Sequence, residues 1–138
     1  MMPSEFNQQI IDEFRANEGR VGGMFEGSPL VLLTTTGAKS GKPSTTPMLY
    51  LADGDRYVVI ASNAGSDRHP AWYHNLRATP EATAEVGAET FEVKAVVVEG
   101  AERDQLYERM AGKWSGFRDY EAKTSRRIPV VALYRTAA

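Results

Sequence analysis

Apolar residues change their period along the chain. Between Ser4 and about Asn17, Phe6, Ile10, Ile11 and Phe14 fall at helical spacing, with Ser4 suited to the N-cap and Gly19 beyond the end, which predicts an amphipathic helix. Its simplest task is to cover one open end of a core, since a membrane-surface helix would carry a more basic polar face. From Leu30 onward the pattern shifts to short β-type runs: Leu30 to Thr36, Thr45 to Leu51, Arg56 to Ser62, Ala82 to Val86, Thr90 to Glu99 and Ile128 to Tyr134. Turn residues bound each run. Ala52-Asp53-Gly54-Asp55 has the Asp-Gly signature of a tight hairpin, and Gly87-Ala88 marks another reversal. Strands joined this closely are antiparallel, because parallel neighbours need a long crossover. Two helical stretches interrupt them, from about Pro70 to Arg77 and from about Glu102 to Met110. The pattern predicts an α+β fold, mainly β, of about six antiparallel strands closed or nearly closed into a small barrel, which removes exposed edges. Residues 1–138 read as a single domain, with no linker, repeat or low-complexity tract.

Composition narrows the chemistry. With no cysteine and two histidines in 138 residues, thiol nucleophiles, disulfide frameworks, iron-sulfur clusters and multi-histidine metal sites are excluded or disfavoured, and no metal is expected. A formal net charge of -2 argues against general nucleic-acid binding, which needs a broad basic face. The first twenty residues lack the continuous apolar stretch of a signal peptide, and no run approaches the ~20 residues of a membrane span. The expectation is a cytoplasmic monomer without a transmembrane segment, contact of the first helix with a membrane surface being left open. Charge is uneven, however. Gly27 to Ala52 contains no acidic residue but has Lys39 and Lys42, and after Glu121 only Lys123, Arg126, Arg127 and Arg135 are charged.

Three segments carry candidate chemistry. Gly37 to Pro43 combines glycines, Ser40 and two lysines after an apolar strand. It is not a Walker A loop, because three residues rather than four separate Gly37 from Gly41 and Pro43 follows the lysine. It reads either as a solvated hairpin tip or as a backbone-and-lysine grip on phosphate or carboxylate oxygens. Arg68 to Arg77 packs His69, Trp72, Tyr73, His74 and Asn75 into one short helix. The histidines are five apart, so they do not share a helical face as a metal pair, and a capping, surface or hydrogen-bonded structural place suits them. Trp114, Phe117 and Tyr120 recur every three residues, as a hydrophobic plug or as a lid over a flat pocket. No hydrolase signature or fixed carboxylate pair occurs. A basic-rimmed, aromatic-lined pocket without nucleophile or metal fits chemistry left to an organic cofactor.

The ordered blocks Pro29-Leu30-Val31-Leu32-Leu33-Thr34-Thr35-Thr36-Gly37, Thr46-Pro47-Met48-Leu49-Tyr50, Asp53-Gly54-Asp55, Ala61-Ser62-Asn63 and His69-Pro70-Ala71-Trp72-Tyr73-His74-Asn75-Leu76 resemble the deazaflavin-dependent nitroreductase family of actinobacteria, which includes F420H2-dependent quinone and enone reductases. The resemblance implies a split β-barrel like that of FMN-binding proteins and coenzyme F420, in its reduced deazaflavin form, as hydride donor. It assigns Lys39, Ser40 and Gly41, continuing through Lys42 and Pro43, to the phosphodiester and acidic tail of the cofactor. Thr45, Thr46, Pro47 and Met48 would run beside the deazaflavin, with Ile60, Ala61, Ser62 and Asn63 on the adjacent strand end. Ala71, Trp72 and Asn75 would complete the wall. Trp114, Phe117 and Tyr120 would bind the small-molecule acceptor, a quinone, an enone or lactone, or a nitroaromatic. Tyr120 and Ser62 are the candidates to donate a hydrogen bond or proton, since hydroxyls keep their protons at neutral pH. The chain departs from the family pattern at Ala38 and Ser44, where basic residues are common, and at Trp114 and Phe117, where the nitroimidazole-activating relative has tyrosines. An FMN-dependent oxidoreductase of the same fold and a non-catalytic carrier of F420 or another hydrophobic ligand are the alternatives.

Overall fold

A computed structural model describes residues 5–136. Helix α1 (Glu5–Ala16) precedes β1 (Leu30–Thr36), β2 (Pro43–Leu49), β3 (Leu51–Asp53) and β4 (Arg56–Ile60). Helix α2 (Ala71–Ala78), β5 (Glu81–Val86), β6 (Glu89–Val98), α3 (Gly100–Lys113), α4 (Gly116–Lys123) and β7 (Val130–Arg135) follow. The helix expected at the N-terminus is present; its suggested cap, Ser4, lies outside the described residues.

The strands form one antiparallel sheet in the order β2-β1-β5-β6-β7-β4-β3. Its two edge strands, β2 and β3, are consecutive in the chain and separated only by Tyr50, so the sheet has to curl until its edges meet. Tyr50 itself donates its N–H back to Pro29 O at 3.2 Å. The single run expected from Thr45 to Leu51 is broken in two at Tyr50, where the chain passes from one edge of the sheet to the other, giving seven strands rather than six. Hairpin turns fall where the Gly54 and Gly87 signals put them, both glycines taking positive φ (62° and 59°).

Strand alternation distributes the core. Val31 and Leu33 of β1, Val59 of β4 and Val131 and Leu133 of β7 point into one cluster, which Trp72, Tyr73 and Leu76 of α2 close. Val58 and Ile60, with Val130 and Ala132, point the other way, against Leu106, Tyr107 and Met110 of α3 and Phe117 of α4. Leu30 and Leu32 meet Ile10, Ile11 and Phe14 of α1. Strand β1 is covered on both faces, which explains its unbroken apolar run. The β5–β6 reversal abuts the segment after α1 so closely that a Cβ on Gly19 would lie 2.6 Å from Gly87 Cα.

Candidate functional site

Gly37 to Lys42 forms a compact hairpin because its glycines permit it. Gly37 N–H donates to Lys42 O at 2.8 Å, Gly41 N–H to Gly37 O at 2.9 Å, and a Cβ on Gly37 would meet Ser40 Oγ at 2.4 Å. Gly41 takes φ +70°, and Ser40 Oγ accepts the Lys42 N–H at 3.1 Å. The hairpin is fixed to α2 by one buried side chain. Asn75 Oδ1 accepts Ala38 N–H at 2.9 Å while its Nδ2 donates to Thr35 Oγ1 at 3.0 Å. Asn75 therefore aims the loop carrying Lys39 and Ser40.

The second wall is the chain between β4 and α2. Asn63, Ala64 and Gly65 all adopt left-handed φ (48°, 54° and 80°), an arrangement costing about 1 kcal/mol or more at each non-glycine residue unless the surroundings hold it. Two contacts do. Gly65 lies under α4, where a Cβ would come within 3.1 Å of Tyr120 Cα and of Lys123 Cβ. The Arg126 guanidinium then gathers the loop from inside, donating to Ser62 O and Ser66 O at 2.7 Å, to Ala61 O at 3.2 Å, and lying 3.0 Å from His69 Nδ1. Since guanidinium only donates, Nδ1 is the acceptor and His69 carries its proton on Nε2. Burial, and then the charges of Arg126 and of His74 and Arg77, hold the His69 imidazole below its usual value.

These walls enclose three adjoining hollows. One of about 360 Å³ is lined by Gly37, Ala38, Lys39, Ser40, Ser44, Ala71, His74 and Asn75. Ser44 and Ala71 also line a larger cleft of about 850 Å³, whose sides are Thr45, Thr46, Pro47 and Met48, then Ile60, Ser62, Asn63 and Ala64, with His69, Trp72 and Arg68. Met48, Ile60, Ser62 and Ala64 are shared in turn with a third hollow of about 370 Å³ that Trp114, Gly116, Phe117 and Tyr120 cover. Phe117 and Tyr120 stack edge to face at 5.8 Å, and Tyr107 Oη donates to Phe117 O at 2.6 Å, locking α4 on α3. Burial and then Glu121 push that Tyr107 phenol up to about 12. The result is a row of three hollows linked by shared lining residues, from a lysine-bearing hairpin, past a larger cleft, to a small aromatic pocket.

Most residues singled out from sequence fall on these hollows, but not all. Gly41, Lys42 and Pro43 are exposed and line none of the three hollows; Gly41 and Lys42 shape the hairpin through their backbone. Ala61 is fully buried in the core, its N–H given to Pro129 O and its carbonyl to Arg126. Asn75 reaches the hairpin hollow while both ends of its amide are already used. Sequence reading did not select Arg126, Arg68 or Asn7, the last entering the large cleft from α1. Arg126 did stand out as a cation in a stretch without acids, the one signal pointing to it.

The cleft suits a cofactor with an anionic tail and a flat ring. Lys39 and Ser40 line the smaller hollow beside the hairpin, the larger cleft has apolar lining at Pro47, Met48, Ile60 and Trp72, and its wall from Ser62 onward is held by Arg126. No three-membered cluster of His, Asp or Glu among the described residues could hold a metal ion.

Known proteins place the chain. Residues 7–135 match the model of the F420H(2)-dependent quinone reductase family. An F420H(2)-dependent quinone reductase of Mycobacterium tuberculosis is 41% identical over 129 residues, covering 88% of this chain and 85% of the relative. The solved structure of an F420-H2 dependent reductase, FDR-A, superposes with a TM-score of 0.70 at 35% identity, covering 76% of this chain and 93% of that one. A second solved chain, a domain-swapped dimer, gives 0.72 at 30% identity over 93% of this chain and 96% of its own.

Proposed function

The chain belongs to the F420H(2)-dependent quinone reductase family, and from that premise we propose that it is an oxidoreductase in which Lys39 and Ser40 grip the cofactor tail, the large cleft holds the deazaflavin, and the aromatic pocket receives the acceptor. Its cofactor is reduced F420, which when bound supplies a hydride to an electron-poor conjugated ring. The acceptor is a small molecule such as a quinone, an enone or a nitroaromatic. Residues 1–138 act as one domain.

The observation that carries this reading is that the three hollows adjoin through shared lining residues. Ser62 lines both the cleft and the aromatic pocket, so rings in the two would lie against the same residue. Holding two reactants in contact removes much of the entropic barrier to their reaction, and the rings of Trp114, Phe117 and Tyr120 keep water from the contact. A carbonyl acceptor that gains a hydride becomes an oxyanion. Tyr120 and Ser62 both line the aromatic pocket and place hydroxyl donors within its walls to stabilise that oxyanion and deliver its proton. Membrane contact is not needed for this chemistry, and no helix among the described residues is long and apolar enough to cross a bilayer.

The test is the re-oxidation of reduced F420 followed by absorbance with and without a soluble naphthoquinone. Oxidation dependent on both protein and quinone is expected. A protein that bound FMN and ignored F420 would be a flavin enzyme of the same fold; one that bound F420 without oxidising it across quinones, enones and nitroaromatics would be a carrier. Unchanged turnover in both Tyr120→Phe and Ser62→Ala would remove those hydroxyls from the reaction.

A further inference from the structure

One guanidinium controls the wall on which the cleft and the aromatic pocket meet. Arg126 comes from the segment after α4, about sixty residues further along the chain than the loop it holds, and four of its five N–H groups are spent on that loop. Three acceptors are backbone carbonyls, of Ala61, Ser62 and Ser66. They bracket the left-handed residues Asn63, Ala64 and Gly65, so the guanidinium fixes both ends of the strained turn. A second anchor from the same segment, Thr124 Oγ1 donating to Asp67 Oδ1 at 2.8 Å, keeps Arg126 in register, its own N–H bonding Thr124 Oγ1 at 3.2 Å. The fourth acceptor is of another kind. His69 Nδ1 accepts only while the imidazole is neutral, because a protonated ring presents N–H on both nitrogens and cannot receive a bond from arginine.

We propose that Arg126 is a positioning residue for F420, holding the Ser62 to His69 wall of the cleft in its binding shape, and that protonation of His69 releases one of its four bonds and weakens the grip on the cofactor in acid. The inference rests on the reading of the cleft as the F420 site. Ser62, Asn63, Ala64, Ser66, Arg68 and His69 all line that cleft, so a shift of the loop reshapes it directly. The groups facing His69 set the direction of the effect. Arg126 from the C-terminal segment and His74 and Arg77 of α2 add positive charge, Tyr73 of α2 packs its ring 4.7 Å away, and Asp67 and Arg68 flank it in its own loop. Cations therefore dominate, and the neutral ring is retained until the pH falls below the ordinary imidazole range. Below that, like charges at 3.0 Å force Arg126 and His69 apart.

The experiment measures the dissociation constant of F420 by its fluorescence, from about pH 8 to about pH 5, for the unaltered protein, Arg126→Lys, Arg126→Gln and His69→Asn. Asparagine can accept through Oδ1 but does not titrate. At neutral pH Arg126→Lys, with three divergent donors in place of a planar fork, is expected to raise Kd about tenfold, and Arg126→Gln further. A merely structural arginine would lower Tm and leave the Kd of the folded protein unmoved. In acid the ratio of the unaltered protein's Kd to that of His69→Asn should climb severalfold; titration of F420 itself cancels in that ratio. A ratio flat with pH, or an Arg126→Lys Kd within twofold of the unaltered protein, overturns the inference while leaving the F420 reading intact. If neither Arg126 variant folds, the flat or rising ratio decides alone. An unaltered protein that binds no F420 at any pH refutes the reading of the cleft, and the inference with it.

Discussion

Removing the Asn75 amide should uncouple the hairpin from the helix that aims it. Asn75→Ala deletes the donor to Thr35 Oγ1 and the acceptor of Ala38 N–H; Thr35, 2% exposed, is left with little water, whereas Ala38 is exposed and its N–H can turn to solvent. An unmade buried bond costs about 1–3 kcal/mol, and the Thr35 bond, the buried one of the two, sets that scale for the loss. For a chain of 138 residues the entropy of unfolding is about 0.3 kcal/mol/K, which converts the loss to a fall in Tm of about 3–10 °C by circular dichroism. Thr35→Val removes the other end of one bond. A double-mutant cycle between the two positions should show a coupling of about 1 kcal/mol, since residues in direct contact are not additive. Binding supplies the functional half of the test. With the hairpin untethered, Lys39 no longer sits over the hairpin hollow, so Lys39→Ala should weaken F420 binding far less in the Asn75→Ala background than in the unaltered protein. A Tm change under about 2 °C, or fully additive binding losses, would show that the hairpin holds its place without Asn75.

Other consequences can be measured separately. Lys39→Ala should raise the Kd for F420 and flatten its dependence on salt, because an exposed lysine facing an anionic tail is screened within about 10 Å at ordinary ionic strength. Gly65→Ala places a Cβ 3.1 Å from Tyr120 Cα at φ +80°, so Tm should drop by several degrees and the KM for acceptor should rise as α4 is pushed outward. Asp53 has its carboxylate held below the usual range by Arg109 and then Arg56. Its folded pKa lies below the unfolded one, so it stabilises the protein above about pH 4, and that contribution disappears as the pH falls through the lowered value. Asp53→Asn should accordingly reduce Tm at neutral pH and flatten the acid limb of the stability profile.

The barrel was legible because its signals are local. Period-two runs, the Gly54 and Gly87 turns and the apolar stripe of α1 each reflect the geometry of their own segment. What escaped was decided by distant parts of the chain. Tyr50 sits inside a run with every local reason to continue, and the break exists because the chain there leaves β1, the partner of β2, to pair as β3 with β4 at the opposite edge of the sheet. Ile128 was expected to begin the last strand, yet β7 starts at Val130: Ile128 O is taken by the Arg103 guanidinium and Pro129 O by Ala61 N–H. Helix α2 begins one residue later than expected, with Pro70 as its cap. Among site residues, Lys42 looked equivalent to Lys39 by composition, but the Gly37–Gly41 turn leaves only Lys39 against the hollow. Arg126 is the instructive miss. Three of its four partners are carbonyl oxygens, which every residue possesses, so nothing in the identities at Ala61, Ser62 or Ser66 advertises the contact.

The geometry of the proposed acceptor pocket also constrains its selectivity. Its lining is Met48, Leu49, Ile60, Ala64, Gly116 and Phe117 with Trp114, Ser62 and Tyr120, and those last three supply its few side-chain hydrogen-bonding groups. A pocket built to bond a particular substituent rejects its absence strongly, since it leaves a buried polar group unpaired; one made of apolar walls separates near-isosteres by only about 1–3 kcal/mol. Acceptor choice should therefore follow ring shape and electron demand more than substituent chemistry. The four residues shared with the larger cleft, the proposed cofactor site, would act in the same direction, because occupants of the two hollows would lie against the same side chains. On the proposed reading, discrimination would reside in whether a ring can lie flat at Ser62, whose carbonyl Arg126 holds, so that cleft and pocket would be tuned through one loop rather than independently.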